Sequence, residues 1–348
     1  MPPADTATPD LRTALERLAP GRAVHGISAV LLPYRADGTM DLAAFERHLL
    51  RTHAAGLDVA VNMDTGFVDL LTPDERTAVL DLTRRALGPG VAFYAGAFPV
   101  EDGAGGAVLD RYRAPVAAIV ARDAIPVIIQ CRAMHGMGPA EKAALYARIA
   151  DLARAALAFE LGPVFAPHGE IWDDETFARV LDVPRIAGAK HSSLDRGTEL
   201  RRLAARDARR PDFRVYTGND LAIDMVAYGS DYLLGLSTFA PEAFAARDRA
   251  LATGDVAFLA RNDALQHLGN VGFRAPVAAY KHAAAQYLHL TGGLDADHVH
   301  PRAPRRPASD RVLLLDCARR VGDVAGGDVQ RVYEERVAPF VGRELHGL

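Results

Sequence analysis

The stretch Val24-His-Gly-Ile-Ser-Ala-Val-Leu-Leu-Pro-Tyr34 opens the pattern that decides the fold, because Asp41 to Ala55 follows it with apolar residues at helical spacing. The same alternation then recurs. Leu57 to Met63 precedes a helix that Thr72 can cap, with Pro73 at its first position and Glu75 in its opening turn. Val91 to Phe98 precedes Ala107 to Arg122, and Ile125 to Cys131 precedes Pro139 to Ala155. Ala156 to Leu161 reads as a fifth strand before Asp174 to Leu181, and Ile186 to Lys190 as a sixth before Thr198 to Ala208. Phe213 to Gly218 and Tyr232 to Leu236 complete eight, each followed by a further helix. Eight strand–helix units with short connections predict an α/β fold of the closed, parallel (β/α)8 type rather than an open doubly wound sheet.

Length and composition agree with that outline. The 348 residues exceed the roughly 250 of one barrel by enough for an appendage. Beyond Gly254 the alternation stops: Asp255 to Leu268 and Pro276 to Leu290 read as helices, Gly292 to Pro307 as a connector, and Ser309 to Val321 as a last helix with Ser309 as its cap. The expected organisation is an N-terminal extension over 1–22, a barrel over 23–253 and a C-terminal helical extension over 254–348. A charged fraction of 24% and a net charge of -4 give no electrostatic reason to expect nucleic acid or an anionic membrane as partner. Two cysteines far apart, Cys131 and Cys317, and no apolar leader or spanning segment suit the cytoplasm. Gly103-Ala-Gly-Gly106 lacks the spacing of a dinucleotide fingerprint.

In a (β/α)8 barrel, chemistry belongs to the C-terminal ends of the strands. Lys190, closing the apolar run Arg185-Ile-Ala-Gly-Ala-Lys190, stands at such an end. Removing an ammonium from water favours the neutral amine, which attacks carbonyl carbon to form a Schiff base. A lysine that snorkels to the surface is the plain alternative. The fourth strand end, Gln130-Cys-Arg-Ala-Met-His135, offers Gln130, Arg132 for a carboxylate and His135 for proton transfer.

Several of these segments resemble the dihydrodipicolinate synthase / N-acetylneuraminate lyase family. Leu31-Leu-Pro-Tyr34 with Asp37-Gly-Thr-Met-Asp41 is similar to its first strand and turn. Asp64-Thr-Gly66 with Leu71-Thr-Pro-Asp-Glu-Arg76 resembles its Gly-Thr-Thr-Gly-Glu loop and the helix after it. Gly188-Ala-Lys190-His-Ser-Ser193 resembles its Gly-x-Lys-Asp-Ser-Ser motif, and Tyr216-Thr-Gly-Asn-Asp220 and Gly235-Leu-Ser-Thr-Phe-Ala-Pro-Glu242 its last two strand ends. The resemblance implies a class I lyase or aldolase in which Lys190 condenses with a 2-oxo acid or related small carbonyl compound, without cofactor or metal. It also implies a homo-oligomer.

The departures reshape the expected site. Where the family has a proton-relaying tyrosine on the fifth strand, this chain has Phe159, or, one residue on, Glu160; side chains alternate, so only one of the two points inward. A partly buried Glu160 could act as general acid/base, and so could His191, which stands where the family has aspartate. Asp64 replaces the first threonine of the loop that holds the substrate carboxylate, and an aspartate there repels an anion unless protonated or paired. Thr65 and the backbone amides near Gly66 are then expected to orient the substrate's polar end. Phe165-Ala-Pro-His168-Gly-Glu170 should cover the site, and the absence of arginine between Arg154 and Arg179 removes the clamp for a dicarboxylic partner. Two other readings stand beside the lyase: a barrel that binds a carbonyl metabolite without turnover, and a metal-dependent aldolase using Glu160, His168 and Glu170, which would have no use for the lysine.

Overall fold

The structure, a computed structural model, describes residues 10–99, 107–325 and 334–335; Gly103 to Gly106 lie outside them. Its eight strands are β1 (Gly26–Ala29), β2 (Asp58–Val61), β3 (Tyr94–Ala97), β4 (Ile125–Ile128), β5 (Ala156–Glu160), β6 (Ile186–His191), β7 (Arg214–Thr217) and β8 (Asp231–Leu234). All pair in parallel, in chain order, and β8 returns to β1 to close the barrel. The expected (β/α)8 architecture is therefore the observed one.

The helices are α1 (Leu11–Glu16) before the barrel, then α2 (Leu42–Ala54), α3 (Pro73–Leu87), α4 (Val108–Val120), α5 (Pro139–Ala150), α6 (Asp174–Leu181), α7 (Arg196–Arg209) and α8 (Pro241–Thr253) around it. The start of α3 shows how locally the sequence can specify structure. The Thr72 hydroxyl accepts the Glu75 amide at 3.2 Å, and the Glu75 carboxylate accepts the Thr72 amide at 2.8 Å, a reciprocal cap with Pro73 just inside it. One expected helix is different: β7 is followed by a six-residue 3-10 segment, Ile223–Tyr228, ended by Gly229 at φ 111°. Glycine adopts that conformation without strain, and the chain turns directly into β8.

The extension folds as α9 (Ala257–Gly272), α10 (Tyr280–Leu290) and α11 (Asp310–Ala325). α9 packs against α8 and α11, and α11 against α10, so the extension lies on the barrel rather than apart from it. Two apolar layers result. Inside the barrel sit Ile27, Ala60, Tyr94, Val127, Leu157, Phe159, Tyr216 and Leu233, while a larger layer fills the space between strands and helices. Among the described residues no helix is long and apolar enough to cross a membrane.

Candidate active site around Lys190

The pairing of β5 with β6 decides which side chains meet in the barrel mouth. Ala156 pairs with Ile186, but Leu157 pairs with Gly188, so Ala187 is an extra residue in β6. Beyond that bulge Phe159 stands opposite Lys190, and Glu160 opposite His191. Paired residues on parallel strands share a face, and successive residues alternate. Phe159 and Lys190 consequently point into the barrel, and Glu160 and His191 point outward between β6 and the helices.

Lys190 is 7% exposed, with its Nζ 4.3 Å from the centre of the Phe159 ring. It lines a small cavity together with Asp64, Phe159, Phe165, Asp220 and Tyr280. Burial drives its pKa below the ordinary lysine value, and the carboxylates of Asp220 and Asp64 offset only part of that. The neutral amine is thereby made more accessible. Gly218 permits the arrangement, since a Cβ there would lie 2.7 Å from the lysine Cε.

Asp220, at the end of β7, is a residue whose role sequence reasoning missed, although its motif was noticed. Burial pushes its carboxyl up to about 7, against the pull of Lys190 and the amide of Leu236, which donates to Oδ1 at 2.7 Å. A carboxyl poised near neutrality beside an amine of lowered pKa can give and take protons at physiological pH.

The β2 loop meets the C-terminal extension. Asp64 accepts the Tyr280 hydroxyl at 2.8 Å on one oxygen and the Lys281 ammonium at 2.8 Å on the other, and Tyr280 is 2.9 Å from the Thr65 hydroxyl. Burial alone would raise the Asp64 pKa, but Lys281 and Tyr280 hold it below its ordinary value, so the group is an anion. The pairing removes the free negative charge expected there. Tyr280 stacks on Phe273 with ring centres 4.4 Å apart, and a Cβ at Gly235 would come within 3.0 Å of its ring. Neither Tyr280 nor Lys281 was anticipated. The amides of Gly66, Phe67 and Val68 donate to Met63 and Asp64 carbonyls within the loop, so these three are not turned to the cavity.

The remaining expected residues lie elsewhere. Glu160, fully buried, accepts the Trp172 amide at 2.8 Å and Arg202 at 3.0 Å on Oε1, and contacts His191 Nδ1 at 2.6 Å through Oε2. Burial favours its neutral form, but His191 and Arg202 outweigh that and hold its pKa below the usual value. The other His191 nitrogen meets the Ser193 hydroxyl at 2.6 Å. Neither side chain lines the cavity, so the placement does not bring Glu160 or His191 to the amine. Gln130 accepts the amides of Leu161 and Glu170, fastening the β4 and β5 loops. His135 contacts the His168 carbonyl at 3.1 Å, the His168 ring packs on Phe98, and Glu170 pairs with Lys142 at 2.8 Å. Arg132 and His135 are exposed. None of these lines the cavity. Among the described residues no cluster of three or more metal-binding side chains occurs.

No curated protein matches by sequence. Dihydrodipicolinate synthase from Thermotoga maritima superimposes with a TM-score of 0.73 at 18% identity, over 86% of this chain and 99% of that one. The chloride-inhibited synthase from Acinetobacter baumannii, complexed with pyruvate, gives 0.71 at 19% identity, over 86% and 99%. YagE, a prophage protein of the dihydrodipicolinic acid synthase family from E. coli K12, also in complex with pyruvate, gives 0.74 at 18%, over 85% and 98%. Identities this low establish the shared barrel fold. By sequence, residues 22–300 match the family described as "Protein of unknown function (DUF993)", and the chain belongs to that family.

Proposed function

We propose that this protein is a class I lyase or aldolase that binds a small carbonyl substrate as a Schiff base on Lys190. The observation that carries the reading is the buried lysine with its pKa lowered by burial, in a strand-end cavity shared with a carboxyl at about 7. Support also comes from the fold, which is that of proteins solved with pyruvate bound.

In this mechanism the Lys190 Nζ lone pair attacks the carbonyl carbon and forms the C–N bond. The carbonyl oxygen takes up two protons and leaves as water, and a cationic iminium remains. In this reading Asp220, protonated about half the time near pH 7, protonates that oxygen and then, as carboxylate, accepts a proton from the adjacent carbon or hydroxyl. The iminium draws the electron pair released when the neighbouring C–H or C–C bond breaks. Phe159 lies with its ring toward the nitrogen, and its quadrupole favours the cation by roughly 0.5–2 kcal/mol. The ring thus has a use although it carries no hydroxyl, and the absence of the family tyrosine no longer argues for a binder without turnover.

Borohydride reduction in the presence of small ketones and 2-oxo acids should fix one adduct on Lys190, located by peptide mass, and Lys190→Met should abolish it together with turnover. Labelling of no lysine, or of another one, would falsify the proposal.

A further inference from the structure

The cavity beside Lys190 is rich in acceptors and poor in donors. Asp64 and Asp220 are both in its wall. The Tyr280 hydroxyl has one proton, and it faces the ionised Asp64 at 2.8 Å; the Thr65 hydroxyl, 2.9 Å from the phenol oxygen, must then donate to Tyr280. Both hydroxyl protons are directed along one chain toward Asp64, whose other oxygen takes the Lys281 ammonium. The Ser192 hydroxyl donates to the Glu160 carbonyl at 2.9 Å. The amides of Gly66, Phe67 and Val68 close the turns of the β2 loop. A substrate carboxylate entering this wall finds the Asp64 anion already paired with Lys281, hydroxyls whose protons are committed, and in the ionised form of Asp220 a like charge whose repulsion burial strengthens. A substrate hydroxyl meets acceptors with free lone pairs.

Resting on the Schiff-base reading above, we propose that the carbonyl partner of Lys190 is an uncharged α-hydroxy ketone, whose hydroxyl donates to the Asp220 carboxylate, and that 2-oxo acids are turned away by that carboxylate and by the lack of an uncommitted donor around Asp64. The specificity lies in the wall and not in the amine. Any ketone reacts with the lysine in the same way: the C–N bond forms, the carbonyl oxygen departs as water, and borohydride delivers hydride to the iminium carbon to leave a stable secondary amine.

Hydroxyacetone and pyruvate test this directly, because both are methyl ketones of nearly equal size that differ in a hydroxymethyl group against a carboxylate. The intact protein is incubated with each at equal concentration near pH 7.5 and reduced with borohydride. Labelling of Lys190 is quantified by peptide mass and divided by the labelling of Nα-acetyllysine under the same conditions. The corrected ratio should favour hydroxyacetone by at least about tenfold, as expected of a desolvated like-charge contact. Asp64→Asn and Asp220→Asn should each move the ratio toward pyruvate; two variants guard against loss of either fold. Equal or better labelling by pyruvate in the parent protein overturns the inference while the Schiff base stands. A parent preference that neither variant alters overturns the assignment to these carboxylates. Failure of both ketones to label Lys190 overturns the Schiff-base reading and this inference with it.

Discussion

Two neighbouring pairs at the end of the same two strands have opposite characters. The inner pair, Phe159 and Lys190, is a ring against an amine that makes no ion pair among the described residues. The outer pair, Glu160 and His191, is bound on every side: Glu160 by Trp172, Arg202 and His191, and His191 by Ser193. Arg202 in turn pairs with Asp174 and donates to the Trp172 carbonyl. Adjacent residues on each strand thus divide the work by side of the strand. The outer layer satisfies its charges and fixes β5 and β6 to α6 and α7, whereas the inner layer leaves an amine under-solvated and therefore reactive. The distinction rests on a single inserted residue, Ala187, because without that bulge the register would set Glu160 opposite Lys190.

The strongest way to break the comparison is to remove the outer carboxylate. Glu160→Ala leaves Arg202 and His191 facing a buried gap, and truncating one partner of such a network costs about 3–5 kcal/mol. The sign of the pH dependence follows from the depressed pKa of Glu160. The unfolded chain binds its proton more readily than the folded one, so the stabilisation is complete above the ordinary glutamate range, about pH 4.3, and fades as pH falls through the lower folded value. Thermal unfolding should therefore show a large loss for Glu160→Ala at pH 7 that narrows in acid. Below its melting temperature the variant should still label at Lys190. Loss of labelling in folded variant would show that the outer layer takes part in the chemistry.

How much of this was legible in the sequence differs between the two layers. The eight-fold alternation, the Thr72 capping box and the placement of Lys190 at a strand end follow from local pattern, since period and capping depend on neighbours a few residues apart. The inward facing of Lys190 does not, because the one-residue bulge at Ala187 inverts the alternation of β6 and alanine in a strand carries no signal for it. Asp64 was noticed as a charge needing a partner, but Lys281 and Tyr280 come from α10, more than two hundred residues along the chain. No spacing rule connects residues that distant. Asp220 lay in a recognised motif, yet its titration near neutrality comes from burial, opposed by Lys190 and reinforced by Asp64, which only the packed barrel provides.

Asp220 sharpens the comparison from the inner side. Its carboxyl is raised to about 7, so between the ordinary aspartate value and 7 the folded chain keeps a proton that the unfolded chain releases. Stability falls across that window as pH rises, the reverse of the Glu160 case. Asp220→Asn, which keeps an oxygen for the Leu236 amide, removes the penalty and should gain on the order of 2–4 kcal/mol relative to the parent above pH 7, with little difference near pH 4. Melting temperatures measured at pH 4.5 and 8 check this, and parallel curves for the two proteins would refute it. The limb near pH 7 in the rate of imine formation should disappear in the same variant.

The smallest expected effect isolates the ring. Phe159→Leu keeps an apolar side chain against Lys190 but removes the quadrupole that favours the ammonium over the amine. The lysine is already depressed by burial, and losing this contact depresses it further, so the neutral fraction at a given pH rises. The pH at which reductive labelling of Lys190 is half-maximal should shift downward by roughly half to one unit, the equivalent of about 1 kcal/mol. Phe159→Tyr is the matched control, because its ring keeps the π face at the same distance and the midpoint should stay where it is. The two variants separate electrostatics from packing: a cavity or a clash would alter stability and the extent of labelling, but only the change in charge preference moves the midpoint. If Phe159→Leu leaves the midpoint in place, the ring serves as a wall alone, and the reactivity of Lys190 rests on burial against the two carboxylates.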